Sequence, residues 1–195
     1  MKRTFDIVVS ALGLLILGPL LLVVALLIKL TSRGPVLFRQ ERVGRHFQPF
    51  RIAKFRTMVV DAPKMGGQLT AGRDPRITTV GHLLRKTKLD ELPQLWNVLV
   101  GEMSFVGPRP EVPRYVELYR DDYAEVLQVR PGITDLASLK YRDESTLLGQ
   151  SDDPEKLYVE TILPDKIELG KEYIRASSLW FDMQLIVRTV LSMAQ

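Results

Sequence analysis

The run Lys86-Thr87-Lys88-Leu89-Asp90-Glu91-Leu92-Pro93-Gln94-Leu95 holds the densest set of reactive side chains in the sequence. Two adjacent carboxylates, Asp90 and Glu91, stand just before Pro93. Proline is tolerated in the first turn of a helix, where backbone N–H groups lack intrahelical partners. The pair is therefore expected at the amino end of a helix running through Trp96 and Leu99. Free N–H groups and the helix dipole favour a carboxylate there. A carboxylate held ionised and in place is able to attack phosphorus, to hold Mg²⁺, or to do both. Lys86 and Lys88 would help gather an anionic substrate. The plainer reading is an acidic helix cap, a common arrangement, and these ten residues alone do not choose between the two.

Three further basic elements bear on the same question. In Gly101-Glu102-Met103-Ser104-Phe105-Val106-Gly107-Pro108-Arg109-Pro110, two prolines bracket Arg109 and leave its backbone little freedom. A pre-positioned guanidinium offers a fork that matches phosphate oxygens. Arg130-Pro131-Gly132 repeats the theme. In Lys54-Phe55-Arg56-Thr57-Met58, Lys54 and Arg56 share one face of a strand, from which they could receive a pyrophosphate or a lipid phosphate. Exposed proline turns and a solvated strand face are the plainer readings. The only histidines, His46 and His82, lie far apart without ligand-like spacing and read as ordinary residues. The chain has no cysteine, which excludes disulfides, thiolate metal sites and a cysteine nucleophile.

What must position these groups begins at the N-terminus. From Ile7 to Ile28 no residue is charged, and such a stretch makes a helix of roughly 33 Å, enough to cross the hydrocarbon core of a bilayer. It is too long for a signal-peptide core and no small-residue cleavage site follows it. Gly18-Pro19 lies at its middle, and Pro19 removes the hydrogen bond to the Leu15 carbonyl, so a kink is expected there. The residues allow a spanning helix with a tolerated proline or a re-entrant helix that turns at Gly18-Pro19 and leaves on the face it entered. Lys2 and Arg3 flank one end, and Lys29, Arg33 and Arg39 the other, which suits both ends being cytoplasmic.

Charge follows the same division. Residues 1–60 carry ten Lys/Arg against two acids, a balance of +8, and residues 61–195 carry seventeen against twenty-one, a balance of −4. A basic excess beside an apolar run points to anionic lipid headgroups or phosphate-bearing substrates. Nucleic acid, the competing partner for a basic face, is not expected beside so apolar a segment.

The chain reads as α+β and mostly helical. Val36-Leu37-Phe38 and Phe50-Arg51-Ile52-Ala53-Lys54-Phe55, turned at Val43-Gly44-Arg45, predict a β-hairpin. Residues 61–75, with Pro63, Gly66-Gly67, Gly72 and Pro75, predict a loop whose glycines would let it move over a substrate. Helices are predicted near 78–86, 90–100, 113–128, 154–163, 165–176 and 179–193. Asp153-Pro154 is a strong helix start. The last helix carries Leu179, Met183, Ile186, Val187 and Val190 with Trp180 beside them, a pattern that suits a core helix or a membrane-interface helix equally.

Taken in order, these segments resemble the bacterial sugar transferase family, the small monotopic phosphoglycosyl transferases. The resemblance rests on the basic-flanked apolar segment with Pro19, Lys54-Phe55-Arg56-Thr57-Met58, Leu89 through Leu99, Gly101 through Pro110, and Val129-Arg130-Pro131-Gly132-Ile133-Thr134. It covers nearly the whole chain. It implies a monotopic membrane protein, with a re-entrant helix over residues 1–33 and a catalytic domain over 34–195 resting on the cytoplasmic face of the bacterial inner membrane. It also implies amphipathic interfacial helices, a UDP-sugar donor, an undecaprenyl phosphate acceptor and Mg²⁺. In the implied mechanism Asp90 attacks the sugar-linked phosphate, releases UMP and also contacts the metal. Glu91 assists, and Arg109 and Arg130 hold phosphates. A homodimer is compatible with this reading, and the residues leave the oligomeric state open. Where many members continue Gly-Trp-Ala-Gln after Ile133-Thr134, this chain has Asp135-Leu136-Ala137-Ser138, so no sugar preference carries over. No run of several transmembrane helices precedes the catalytic part, so the chain reads as the minimal catalytic unit.

Overall fold

The computed structural model describes residues 1–72 and 74–193. Helix α1, Lys2–Thr31, is one assigned helix that runs through Gly18-Pro19 without interruption. Its apolar length suits a bilayer, and little of its apolar stretch is buried. Leu15, Ile16, Leu22, Val23, Leu26 and Leu30 face outward, while Val24 and Ile28 pack on Phe55 and Leu84.

Both ends of α1 are tied to the rest of the chain. At the start, Lys2 donates to Val106 O at 2.9 Å and to Tyr173 Oη at 3.0 Å and pairs with buried Asp182. Arg3 donates to Val98 O at 2.6 Å and Leu99 O at 2.8 Å, and Asp6 accepts from Ser104 Oγ and Phe105 N, both at 3.2 Å. At the far end the chain leaves through Gly34, whose φ of +111° is a left-handed conformation that glycine adopts without strain. A Cβ there would also lie 2.3 Å from Arg56 Nη1.

The predicted hairpin is present as β1 (Leu37–Val43) and β2 (Pro49–Phe55), antiparallel from Leu37↔Phe55 to Val43↔Pro49. Gly44 N donates to Gln48 O at 2.8 Å to close the turn. The 61–75 segment holds a short helix, α2 (Ala62–Met65), and α3 follows at Thr79–Lys86, capped by Thr78 Oγ1 accepting from Gly81 N at 3.0 Å. A single 3-10 turn, Leu89–Glu91, leads through Leu92 and Pro93 into α4 (Gln94–Val100). The acidic pair thus lies in a tighter turn ahead of the helix that the sequence placed it in. α4 is held to β2 by Asn97, which accepts from Ala53 N at 2.9 Å and donates to Arg51 O at 2.9 Å.

Beyond it come β3 (Ser104–Val106), α5 (Pro113–Leu118), α6 (Arg120–Val126), β4 (Gly132–Thr134), α7 (Leu136–Lys140) and α8 (Glu144–Gly149). β3 and β4 form a parallel pair, Ser104↔Gly132 and Val106↔Thr134. The approach is so close that a Cβ on Gly132 would lie 2.1 Å from Gly107 N. This ladder brings the two proline–arginine turns of the sequence side by side. α9 (Pro154–Leu157), a wide turn at Tyr158–Ile162 and α10 (Leu163–Ala176) form one helical stretch across Pro164, where the sequence predicted two helices. Proline lacks the N–H that would bond its preceding turn, and the backbone widens there, with Leu163 N donating to Tyr158 O. The main apolar core packs Val112, Tyr115, Val116, Tyr123 and Val126 against Tyr158, Ile162, Leu163 and Ile167.

α11 spans Leu179–Met193. It buries Asp182 and Leu185 inward but exposes Leu179, Trp180, Val187, Val190 and Leu191. Of the face expected from Leu179, Met183, Ile186, Val187 and Val190, Leu179, Val187 and Val190 therefore point out, whereas Ile186 joins Phe181 and Leu185 in meeting the core.

Candidate active site

Asp90 and Glu91 sit in the turn between α3 and α4, facing β2, and their circumstances are opposite. Glu91 is clamped. Lys54 Nζ donates to its Oε1 at 2.8 Å, and Arg109 reaches the same carboxylate through both terminal nitrogens, with Nη1 at 3.4 Å from Oε2. Burial alone would raise its pKa, but Arg109 and Lys54 outweigh burial and hold the carboxyl well below the usual range. Glu91 is thus a fixed anion that orients a lysine from β2 and an arginine from the turn after β3.

Asp90 is buried, yet its Oδ1 has no hydrogen-bond partner among the described residues. Burial, and then the Glu91 charge, push its carboxyl above the usual range, while Lys54, Arg85 and Lys88 pull it back. An unpartnered buried carboxylate oxygen is costly unless something else supplies the missing interaction. Lys88, in the left-handed region at φ +56°, opens the 3-10 turn that carries Asp90.

Arg109 is placed by its backbone as well as by Glu91. Its N–H donates to Asp135 Oδ2 at 2.9 Å, and Asp135 Oδ1 caps α7 by accepting from Ser138 N at 2.7 Å. The segment where this chain departs from the family pattern therefore braces the arginine clamp directly.

Two expected phosphate binders lie elsewhere. β2 ends at Phe55, so Arg56 lies just past the strand that holds Lys54 and does not share its face, and its guanidinium is buried against the end of α1. It donates to Ser32 O at 3.0 Å, Ser32 Oγ at 2.6 Å and Arg33 O. The carbonyls at a helix C-terminus lack partners and draw a cation, so Arg56 fastens a helix and is not free for phosphate in this arrangement. Arg130 likewise gives Nε to Gly101 O at 2.8 Å, at the end of α4 opposite Asp90. β3 and β4 bring Arg109 and Arg130 into neighbouring turns, where Arg109 bonds Glu91 and Arg130 bonds Gly101 O. Gly18 and Pro19 lie in the exposed middle of α1, away from these groups.

Arg85, which carried no motif, faces the pair from α3. Its Nε donates to Thr57 Oγ1 at 2.9 Å and Nη1 to Thr70 Oγ1 at 3.3 Å, so it links the 61–75 segment to α3 and to the residues after β2. That segment is itself fastened, with Arg76 donating to Gly67 O at 2.7 Å and Leu69 O at 2.9 Å, and Gly72 N to Ser145 O at 2.7 Å.

No cluster of three or more His, Cys, Asp or Glu able to hold a metal occurs among the described residues. The donor set present fits Mg²⁺ in its usual substrate-linked form, with one carboxylate from the protein and the remaining oxygens from phosphates and water. Asp90 is the carboxylate suited to it, because its Oδ1 has no partner among the described residues whereas Glu91 is already engaged.

The family model for bacterial sugar transferases matches residues 1–195. The UDP-glucose:undecaprenyl-phosphate glucose-1-phosphate transferase of Escherichia coli is 43% identical over 194 residues, covering 97% of this chain and 39% of that protein. The enzyme of the same name from Caulobacter vibrioides is 42% identical over 197 residues, covering 98% of this chain and 69% of its own length. The exopolysaccharide production protein PSS of Rhizobium leguminosarum bv. phaseoli is 42% identical over 200 residues, covering 98% and 94%. The chain thus spans about two fifths of the Escherichia coli relative and almost all of the Rhizobium one. With the match running from end to end over the residues that build this site, the chain belongs to the bacterial sugar transferase family.

Proposed function

We propose that the chain transfers a sugar 1-phosphate from a UDP-sugar to undecaprenyl phosphate, with release of UMP, as the first membrane step of surface glycan assembly. The observation that carries this reading is the contrast inside the acidic pair, an immobilised Glu91 holding two cations beside a buried Asp90 with an unpartnered oxygen. In the first step an Asp90 oxygen attacks the sugar-linked phosphorus. The bond from that phosphorus to the oxygen bridging to the uridine phosphate breaks, UMP departs with that oxygen, and a phosphosugar–aspartate ester remains. In the second step a phosphate oxygen of the lipid attacks the same phosphorus and the Asp90 carboxylate leaves. Mg²⁺ held by Asp90 would supply charge neutralisation on the donor diphosphate. Arg109 and Lys54, oriented by Glu91, present positive charge to the same phosphates, and Lys88 draws them in. Such a reaction depends on positioning and electrostatics more than on proton transfer.

The same reading assigns α1 to the membrane as a re-entrant helix, with the active site at the headgroup level on the cytoplasmic face of the inner membrane. Support comes from the attachment of both its ends to one body, through Lys2, Arg3 and Asp6 at one end and Arg56 at the other. The exposed Trp180, Val187 and Val190 face of α11 is assigned to the interface beside it. The test is UMP release by the protein in vesicles containing undecaprenyl phosphate, with UDP-glucose and other UDP-sugars. Release that needs the lipid for multiple turnovers and stops with EDTA is expected. Absence of release with every donor contradicts the proposal.

A further inference from the structure

We infer that Gln94 is a further catalytic residue, whose side-chain amide donates a hydrogen bond to the phosphoryl oxygen of the donor diphosphate at Asp90. The inference rests on the reaction proposed above and names a group that it does not use.

Two buried amides occupy the face of α4 that meets β2. Asn97 is fully engaged, bonded to Ala53 N, Arg51 O and Glu102 Oε2 at 2.7–2.9 Å. Gln94 lies almost one turn earlier and is 1% exposed, yet its Nε2 has no partner among the described residues. A buried amide left without a partner costs about 1–3 kcal/mol. A side chain of that length could readily have been an apolar one. Four residues before it stands the other open buried atom of this turn, Asp90 Oδ1. Leu92 and Pro93 between them are both right-handed helical, at φ −56° and −60°, so Asp90 and Gln94 lie on successive turns of one right-handed run, closed by bonds such as Leu92 N to Leu89 O and Leu95 N to Leu92 O. One orphan is an acceptor and the other a donor. A tetrahedral phosphoryl group brought to Asp90 presents the oxygens that the amide lacks. The amide is neutral, so it adds a directed hydrogen bond where Lys54, Arg109 and Lys88 already supply charge, and such donors act most strongly where charge develops in the transition state.

The experiment separates this role from a packing role, because the two predict opposite effects. Gln94→Met keeps the length of the side chain and removes the orphaned amide. The melting temperature should hold or rise. Single-turnover UMP release from UDP-glucose, or from the donor identified above, should slow about 10- to 100-fold. Gln94→Glu, which sets a carboxylate against the incoming phosphate, should slow it further. A wild-type rate in either variant overturns the inference, and so does a Gln94→Met rate that falls only in step with lost folded protein. The wild-type protein run alongside reports separately on the reaction itself. If it releases no UMP, the proposed function fails; if it does and Gln94→Met matches it, only the role of Gln94 fails.

Discussion

Asp90 and Glu91 are neighbours in sequence, and the fold gives them opposite electrostatic roles. Glu91 accepts from Lys54 at 2.8 Å and from Arg109, whereas Asp90 keeps Oδ1 unpartnered in the same buried turn. The second carboxylate organises the cations and the first is left open for chemistry.

Glu91→Gln should therefore damage stability and rate together. It removes the anion shared by two poorly exposed cations, and unpairing a buried ion pair costs about 3–5 kcal/mol. Arg109→Met should cost less, because its side chain is 34% exposed. Denaturant midpoints for the two variants, beside their UMP-release rates, check the order.

Arg56 separates anchoring from substrate binding. With its guanidinium spent on Ser32 and Arg33, Arg56→Met should weaken the protein by about 1–3 kcal/mol through unpartnered helix-end carbonyls. It should leave the KM for the donor unchanged. A selective rise in KM with unchanged stability would show that the residue leaves its anchor to bind phosphate.

The topology of α1 has its own test, made clean by the absence of cysteine. Thr4 and Thr31 are exposed near the two ends. Cysteines introduced singly at each should both react with an impermeant thiol reagent from the cytoplasmic side. Reaction from opposite sides would establish a spanning helix.

Acid should loosen the segment after α2. Asp74 is held below the usual carboxylate range first by its side-chain hydrogen bonds to Arg76, which outweigh the opposing effect of burial. Its folded pKa is thus lower than its unfolded one. Its contribution is complete above the unfolded value of about 3.9 and is lost as pH falls through the folded value. Melting temperatures measured from pH 7 down to pH 3 should fall at the acid end, and Asp74→Asn should flatten that limb.

Much of this was readable from residue patterns. The hairpin announced itself through two short strand-like runs on either side of Val43-Gly44-Arg45, and α1 through its uncharged run. The acidic pair stood out because Pro93 restricts where a helix begins. The parallel β3–β4 ladder did not, since three residues per strand carry no periodicity and their partners lie far apart in the chain. The same limit hid the fates of Arg56 and Arg130. Both looked like phosphate ligands because an arginine fork fits phosphate, and both met helix-end carbonyls whose positions only the tertiary fold determines. Arg85 carried no local signal, as its place beside Asp90 depends on how α3 packs. The Asp135 brace fell in a segment that marked a departure from the family pattern without revealing its purpose.

The central claim is that Asp90 becomes covalently bonded to the transferred phosphosugar. Intact-protein mass spectrometry on purified protein with Mg²⁺ and a panel of UDP-sugars, without lipid acceptor, tests it most directly. The account predicts a mass increase equal to one sugar phosphate, absent in Asp90→Asn and removed on adding undecaprenyl phosphate. An adduct that persists in Asp90→Asn, or full turnover by that variant, would contradict it.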